Sequence, residues 1–140
     1  MRVVVDATPL YDLGQIGELD LLRVPEGRLV IPEAVVDEIT VEPASTNLDR
    51  LLDENDVETE PDCADWLDDA RALLGESTAT SDAWVVACLL AARDRGEDAA
   101  LLSDDNRLRA VGEGLGATVT GTFGVIVRAA ADDKYFHTAQ

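Results

Sequence analysis

Acidic side chains from four distant stretches of the chain follow or flank short apolar runs. They are Asp6, Glu38, Asp82 and the adjacent pair Asp104 and Asp105. Carboxylates that are brought together without a counter-charge repel one another and hold raised pKa values. A divalent cation relieves that repulsion, and a site of oxygen ligands without histidine favours Mg²⁺ or Mn²⁺ over zinc. Such a site suits the hydrolysis of phosphate esters, because the metal ion activates water and neutralises the charge that develops on the phosphate.

Each acid taken alone has a simpler interpretation, because the chain contains 29 acidic residues and most acids are solvated surface groups. Asp82 could serve only as a favourable charge at the start of a helix, and Asp104 or Asp105 could be only a turn or cap residue. Asp6 is the strongest single candidate, since an Asp that directly follows three valines is expected to be partly buried. The four positions together are a more specific signal than any one of them.

The apolar pattern predicts alternating strands and helices that would bring these acids to one edge of a sheet. Strands are predicted at 3–5, 29–31, 99–102 and 117–120. Helices are predicted within 10–22 and at 33–40, 48–52, 65–74, 82–95, 108–115 and 122–131. Nearly continuous apolar strands indicate a parallel sheet that is covered on both faces, and functional groups in such sheets lie at the carboxyl ends of the strands. We therefore expect an α/β fold with a parallel sheet of about four to five strands, one domain at 1–131 and a flexible tail at 132–140.

The acidity of the chain is spread along its whole length. The formal net charge is −18, and Lys134 is the only lysine among 11 basic residues. This composition resembles that of proteins from microbes with molar internal salt, where the Debye length is only about 3 Å and self-repulsion nearly vanishes. The charge would argue against nucleic-acid binding in dilute buffer, but this argument loses most of its force in molar salt.

The apolar runs are too short for a membrane span, and the N-terminus lacks the features of a signal peptide. We therefore expect a cytoplasmic protein in a high-salt cytoplasm. Cys63 and Cys88 are 25 residues apart without CxxC spacing, which indicates neither a zinc site nor a disulfide framework. Trp84 is expected in the core because its helix is apolar. Arg107 and Arg109 could either contact phosphate or balance nearby acids.

Four blocks of the sequence resemble, in the right order, those of the PIN-domain nucleases. They are MRVVVDATPLYDLGQIGELDLL at 1–22, VIPEAVVDEI at 30–39, TSDAWVVACLLAA at 80–92 and LLSDDNRLRAVGEGLGATVTGTFGVI at 101–126. The resemblance covers nearly the whole chain, and only about residues 42–75 lie outside it. The second and fourth blocks are most similar to a little-characterised prokaryotic branch near the VapC-type toxins.

The resemblance implies a three-layer α/β/α sandwich and metal-dependent cleavage of RNA that leaves a 5′-phosphate and a 3′-hydroxyl. It also implies a homodimer and control by a cognate antitoxin protein. The catalytic acids and ligands of one or two Mg²⁺ or Mn²⁺ ions would be Asp6, Glu38, Asp82 and Asp105. Asp104 could replace or assist Asp105, because either neighbour at a strand end can face inward. Thr8 and Ser103 would orient ligands or water, and Asn106 could supply a neutral oxygen.

The chain departs from the family pattern at two places. Arg107 stands where a further acid is common, two residues after the last one, and this weakens a second metal position. Gly75-Glu76 resembles a Gly-Glu pair that many members carry before the third acidic block, but it lies too far upstream of Asp82 to be that feature. We therefore expect Glu76 to be a surface residue.

Two other classes of function remain open. One is a non-catalytic PIN-like domain that binds a nucleic acid or a partner protein, and the other is a different α/β module with an acidic metal pocket. A receiver domain would need a lysine after the fifth strand, whereas the only lysine is Lys134. A haloacid-dehalogenase phosphatase would need a second Asp at the position of Thr8. The apolar stretch 10–22 could form a shared face in a homodimer.

Overall fold

Four parallel strands form one sheet in the residues that the computed structural model describes, which are 1–23, 27–54 and 56–131. The strands are β1 (Arg2–Val5), β2 (Arg28–Val30), β3 (Ala99–Leu102) and β4 (Thr118–Thr120). Their order across the sheet is β2-β1-β3-β4, so β1 and β3 form the central pair. Val3, Val4 and Val5 are almost completely buried, as expected for a strand that is covered on both faces. The predicted tail at 132–140 lies outside the described residues.

Seven α-helices flank the sheet within the described part of the chain. They are α1 (Ala7–Gln15), α2 (Glu33–Val36), α3 (Ala44–Glu54), α4 (Leu67–Leu74), α5 (Ser81–Asp94), α6 (Asn106–Gly114) and α7 (Thr122–Ala131). Helix α1 packs against α3 and α7, whereas α5 packs against α2, α4 and α6. The two groups are the outer layers of the α/β/α sandwich, which confirms the predicted fold. Across the described residues, no helix has both the length and the apolar character that a membrane crossing requires.

Helix α5 is the central helix of its layer and carries Asp82 in its first turn. It contacts the two central strands β1 and β3 as well as neighbouring helices. Its residues from 85 to 92 are all buried, so it is apolar around most of its circumference. The helix starts at a defined point because the Thr80 side chain accepts a hydrogen bond from the Ala83 N–H at 3.2 Å. This packing fixes the position of Asp82 relative to the strand ends.

Two expectations about the first third of the chain are corrected by the structure. Four of the five leucines in the stretch 10–22 (Leu10, Leu13, Leu19 and Leu22) are buried inside the chain's own core, so a shared dimer face could use only the exposed residues of this stretch, such as Tyr11 and Ile16. The helix predicted at 33–40 ends at Val36, and the chain continues in a tight turn in which the Ile39 N–H donates to the Val36 carbonyl. The β-branched residues that follow favour extended backbone over a longer helix. Glu38 is therefore positioned by a turn and not by a helix.

Candidate active site

Asp6 is a buried carboxylate at the carboxyl end of β1, with only 6% of its surface exposed. Its N–H continues the β1–β3 ladder by donating to the Leu102 carbonyl at 2.9 Å. Its Oδ2 accepts a hydrogen bond from the Ser103 hydroxyl at 2.9 Å. Burial raises the pKa of Asp6, and repulsion from Glu38 and Asp105 raises it further, whereas the hydrogen bond from Ser103 lowers it. Burial is thus the main reason why the pKa of Asp6 is raised, and the nearby carboxylates add to it.

Ser103 connects the first and last acids of the candidate site. It is fully buried at the end of β3, where its hydroxyl donates to Asp6 and accepts a hydrogen bond from the Asp105 N–H at 3.1 Å. Asp105 is the N-cap residue of α6, because its Oδ1 accepts from the Leu108 N–H at 2.9 Å. The Ser103 hydroxyl thus connects the carboxyl ends of β1 and β3, because it is hydrogen-bonded both to Asp6, which follows β1, and to Asp105, which follows β3.

Asp82 faces the same edge of the sheet from the start of α5. Burial raises the pKa of Asp82, and repulsion from Asp6 is the next largest cause, with smaller contributions from Asp105 and Glu76. A hydrogen bond from Arg107 acts in the opposite direction, since the Nη2 of Arg107 lies 3.1 Å from the Asp82 Oδ2. The charges of Asp6, Asp82 and Asp105 therefore act on one another, as expected for acids that converge on one edge.

Glu38 is exposed, as is Asp105, and it lies in the turn after α2. Its carboxylate accepts a hydrogen bond from the hydroxyl of Ser81, the residue before Asp82. Its negative charge contributes to the raised pKa of Asp6. The structure therefore places all four predicted acids at the carboxyl edge of the sheet, with Asp6 in the interior and Glu38 at the rim.

The side chains of Asp104, Thr8 and Asn106 are not part of this cluster. Both carboxylate oxygens of Asp104 bind Thr122, with Oδ1 accepting from its N–H at 2.8 Å and Oδ2 from its hydroxyl at 2.6 Å. Asp104 therefore anchors the start of α7, and the expectation that it could replace or assist Asp105 as a ligand is corrected. Thr8 is exposed on α1, and its hydroxyl makes no hydrogen bond to the acids within the described residues. Asn106 lines a separate groove beside β4.

Glu76 and Arg107 also lie at the site. The sequence predicted a surface position for Glu76 and left open whether Arg107 contacts phosphate or balances nearby acids, and in the structure Arg107 pairs with acids. The side chain of Glu76 is only 17% exposed, and its Oε1 lies 3.4 Å from the Nη2 of Arg107, which corrects the expectation of a free surface residue. Helix α4 ends at Leu74, and the φ of 69° at the next residue, Gly75, turns the chain so that the Glu76 N–H donates to the Arg71 carbonyl. A glycine after an amphipathic helix is a readable stop signal, but the direction of the next side chain depends on packing.

The four acids have the right chemistry for a divalent cation but do not form a closed cage around one. No three Asp, Glu, His or Cys side chains in residues 1–23, 27–54 and 56–131 lie close enough to enclose a metal ion. Glu38, Asp82 and Asp105 each use one carboxylate oxygen in the hydrogen bonds described above, so the second oxygen of each has no donor among the described residues. Oxygen donors with uncompensated charge fit Mg²⁺ or Mn²⁺. Binding would require the carboxylates to exchange some of their present partners.

Two cysteines for which the sequence indicated no shared site lie side by side in the core. The Sγ atoms of Cys63 and Cys88 are 3.4 Å apart, and both thiols are free and buried. Their shared hydrogen bond lowers the pKa of Cys63 and, together with burial, raises the pKa of Cys88. The pair links the segment before α4 to the middle of α5, away from the acids.

Trp84 packs against the core, as expected, but it also lines a groove of about 370 Å³ on the surface beside α2. The same groove is bordered by the carboxylates of Glu33, Asp37 and Glu60. A second groove, of about 580 Å³, lies at the end of β4 and is lined by Asn106, Arg109 and Phe123 among others. Phe123 is 78% exposed, which is unusual for a large apolar side chain.

Known proteins match this chain in sequence pattern and in fold. The family model described as PIN domain (DUF3368) matches residues 2–139. The crystal structure of PAE2754 from Pyrobaculum aerophilum is 19% identical in sequence, with a TM-score of 0.59 over 94% of this chain and 90% of that chain. At that identity the likeness shows a shared fold. No curated protein is similar enough in sequence to match.

Proposed function

The chain belongs to the PIN-domain family, and on that basis we propose that it is a metal-dependent endoribonuclease that uses Mg²⁺ or Mn²⁺. PIN domains are generally nucleases, and PIN-domain nucleases typically use divalent metal ions. The observation that carries the proposal is the convergence of four acids from four separate elements on the carboxyl edge of the sheet. Burial is the main cause of the raised pKa values of Asp6 and Asp82, and repulsion from neighbouring carboxylates raises both further. Carboxylates that converge in this way are the oxygen ligands that a divalent cation prefers.

The side chains that would hold the ion are Asp6, Glu38, Asp82 and Asp105. A divalent cation bound by them would supply an activated water and would neutralise negative charge on the phosphate. The protein's own contribution is to hold the acids in place. Ser103 fixes Asp6 from inside the fold, and the capping bond to Leu108 fixes Asp105 at the start of α6. Burial of Asp6 lowers the local dielectric constant and strengthens its attraction for a cation.

The groove at the end of β4 favours a single-stranded nucleic acid as the substrate. It carries the guanidinium of Arg109 and the exposed ring of Phe123 and is lined by Asp104, the neighbour of Asp105. Proteins that bind single strands combine cationic groups for the phosphates with aromatic rings on which bases stack. We therefore place the RNA strand along this groove, from which it would continue to the acids. Hydrolysis there would leave a 5′-phosphate and a 3′-hydroxyl.

A non-catalytic PIN-like domain that binds a partner or a nucleic acid is the second candidate. Two observations favour it over a nuclease. The described residues contain no closed set of metal ligands, and Arg107 already pairs with Asp82. A protein in which this guanidinium permanently replaces the metal ion would keep the fold and lose the reaction.

The cellular setting is also part of the proposal. We propose a high-salt cytoplasm because the net charge of −18 would repel RNA in dilute solution. We further propose a homodimer and regulation by an antitoxin protein, which would give the chain a role as a toxin. Apolar side chains that remain exposed on α1, α7 and the turn after α1 would be available for either interface. They are Tyr11, Ile16 and Val127.

Cleavage of labelled single-stranded RNA in molar KCl with Mn²⁺ tests the proposed activity. Asp6→Asn keeps the shape and an oxygen acceptor for Ser103 but removes the charge, so we expect the fold to persist and cleavage to fall by about two orders of magnitude or more. The matched control is Asp98→Asn, which removes the same charge from an exposed residue just before the amino end of β3. Its activity should equal that of the wild type.

Calorimetry with MnCl₂ alone separates the two candidate functions. Metal-dependent cleavage that is lost only in Asp6→Asn supports the nuclease. Absence of both Mn²⁺ binding and cleavage in the wild-type protein supports the non-catalytic domain, in which Arg107 keeps the place of the metal ion, and contradicts the nuclease. Binding of Mn²⁺ without cleavage of RNA supports the metal site but contradicts the proposed cleavage of this substrate.

A further inference from the structure

Arg107 places a positive charge inside the cluster of acids. It is the second residue of α6, and its Nη2 contacts both the Asp82 Oδ2 at 3.1 Å and the Glu76 Oε1 at 3.4 Å. Its Nη1 donates to the carbonyl of Leu74, the last residue of α4, at 3.1 Å. The guanidinium therefore joins the end of α4 to the start of α5 across the mouth of the site.

Building on the proposed nuclease function, we propose that Arg107 is a displaceable counter-ion. It pairs with Asp82 while the protein is free of metal, releases Asp82 when a divalent cation binds, and then contacts a phosphate of the RNA. Arg107 thereby couples occupation of the metal site to binding of the substrate.

The contacts of Arg107 show why displacement is feasible. Half of its side chain is exposed, and the Asp82 side chain is 28% exposed, so this pair is of the partly solvated kind that contributes little stability. One guanidinium also faces two carboxylates, those of Asp82 and Glu76, and its single positive charge cannot balance both. A doubly charged ion would neutralise this cluster more completely than a single positive charge does.

The same contacts show why the guanidinium would stay at the site after it releases Asp82. The bond to the Leu74 carbonyl and the pairing with Glu76 do not depend on Asp82, so they hold the side chain at the edge of the cluster. A guanidinium has five N–H donors in a planar fork that matches the oxygens of a phosphate. The N–H groups of Arg107 that no longer bond to Asp82 would then face the phosphates of the bound RNA.

This role predicts opposite effects on metal and on substrate in Arg107→Gln. Removing the competing positive charge should lower the Kd for Mn²⁺ by about two- to fivefold, because a partly exposed ion pair contributes a free energy of that size. Loss of the phosphate contact should raise the KM for RNA by about tenfold. Arg107→Lys keeps the charge without the fork, so its Kd for Mn²⁺ should stay close to that of the wild type while its KM is only partly restored.

The matched control is Arg71→Gln. Arg71 has the same kinds of partner as Arg107, a carboxylate (Asp68) and a main-chain carbonyl (Ser77), but it pairs with none of the four acids. This variant loses the same charge and the same kinds of bond away from Asp82. Its Kd for Mn²⁺ and its KM for RNA should both remain within about twofold of the wild-type values.

The experiment is Mn²⁺ calorimetry in molar KCl on the wild type, Arg107→Gln, Arg107→Lys and Arg71→Gln, followed by cleavage kinetics on the same four proteins. Tighter Mn²⁺ binding with a raised KM in Arg107→Gln alone supports the proposal. If the wild type binds Mn²⁺ and cuts RNA, but Arg107→Gln binds Mn²⁺ equally or more weakly, the counter-ion role is overturned and the nuclease stands. If none of the four proteins binds Mn²⁺, both proposals fail.

Discussion

Replacing Ser103 with alanine tests whether one buried hydroxyl holds the acidic site together. The substitution keeps the backbone, in which the Ser103 N–H bonds to the Thr120 carbonyl, and removes only the oxygen between Asp6 and Asp105. Alanine occupies less space than serine, so no steric conflict arises. The expected consequence is a less stable protein in which the first and last acids are no longer connected.

The magnitude follows from the two hydrogen bonds that disappear. The bond to the Asp6 carboxylate, 2.9 Å long, is of the charged kind that contributes about 1.5–3 kcal/mol. The bond from the Asp105 N–H, 3.1 Å long, is neutral and contributes about 0.5–1.5 kcal/mol. Because the Asp105 N–H is only partly buried and can bind water instead, we expect a total loss of about 2–3 kcal/mol in the free energy of unfolding. This is a large fraction of a typical domain stability of about 5–15 kcal/mol.

The loss should depend on pH, because the Ser103 hydroxyl stabilises the ionised form of Asp6. The pKa of Asp6 is raised above its ordinary value of 3.8, so the folded protein holds this proton more tightly than the unfolded chain does. The contribution of Asp6 to stability is therefore present at low pH and is lost as the pH rises through its raised pKa. Without Ser103 the pKa of Asp6 rises further, and the variant loses more stability on the way to neutral pH. The difference between wild type and variant is smallest below pH 3.8 and largest at neutral pH.

Urea unfolding in molar KCl at both pH values measures this difference. Ser81→Ala is the matched control, because it deletes the same hydroxyl from a bond to a carboxylate, that of Glu38, at an exposed position. It should cost less than about 1 kcal/mol. Adding Ser103→Ala to Asp6→Asn should cost less than adding it to the wild type, since the charged partner is gone. A loss below about 0.5 kcal/mol, or a loss that is equal at both pH values, would refute the role assigned to Ser103.

Two further substitutions test the surroundings of the site. Asp104→Ala should lower the free energy of unfolding by about 0.5–2 kcal/mol, because it removes the two hydrogen bonds to Thr122. Calorimetry should show an unchanged Kd for Mn²⁺. A raised Kd would instead indicate that Asp104 is a metal ligand. Gly112→Ala would place a Cβ 2.9 Å from the Leu101 Cδ2 and should cost about 1–3 kcal/mol in thermal or urea unfolding. Its control, Gly114→Ala on the same helix, meets no atom within 4 Å and should not destabilise; equal effects of the two would contradict the packing of α6 on β3.

Much of the fold could be predicted because its signals are local. The valines of β1 and the apolar run of β3 are continuous, and that pattern suffices to indicate buried parallel strands. The stop at Gly75 and the cap at Thr80 depend on residues within one helical turn. The prediction was wrong for the helix at 33–40, because it gave too little weight to the β-branched residues at 39–41, which favour extended backbone.

The sequence by itself determined the order of strands and helices and the oxygen-only chemistry of the candidate site. It did so because hydrophobic periodicity and residue type are properties of neighbouring positions. It also placed Asp6 and Asp105 after strands that end at the same edge, a consequence of parallel topology. These inferences need no knowledge of where any side chain points.

Only the tertiary structure decided which groups face one another. Asp105 is held toward Asp6 through Ser103, while its neighbour Asp104 binds Thr122. Arg107 reaches Asp82 from a different helix, and the Sγ atoms of Cys63 and Cys88 meet across 25 residues of sequence. Each of these contacts depends on side-chain direction at the end of an element and on how elements pack. Adjacent residues at a strand end can face opposite ways, so position in the sequence alone leaves the partner undetermined.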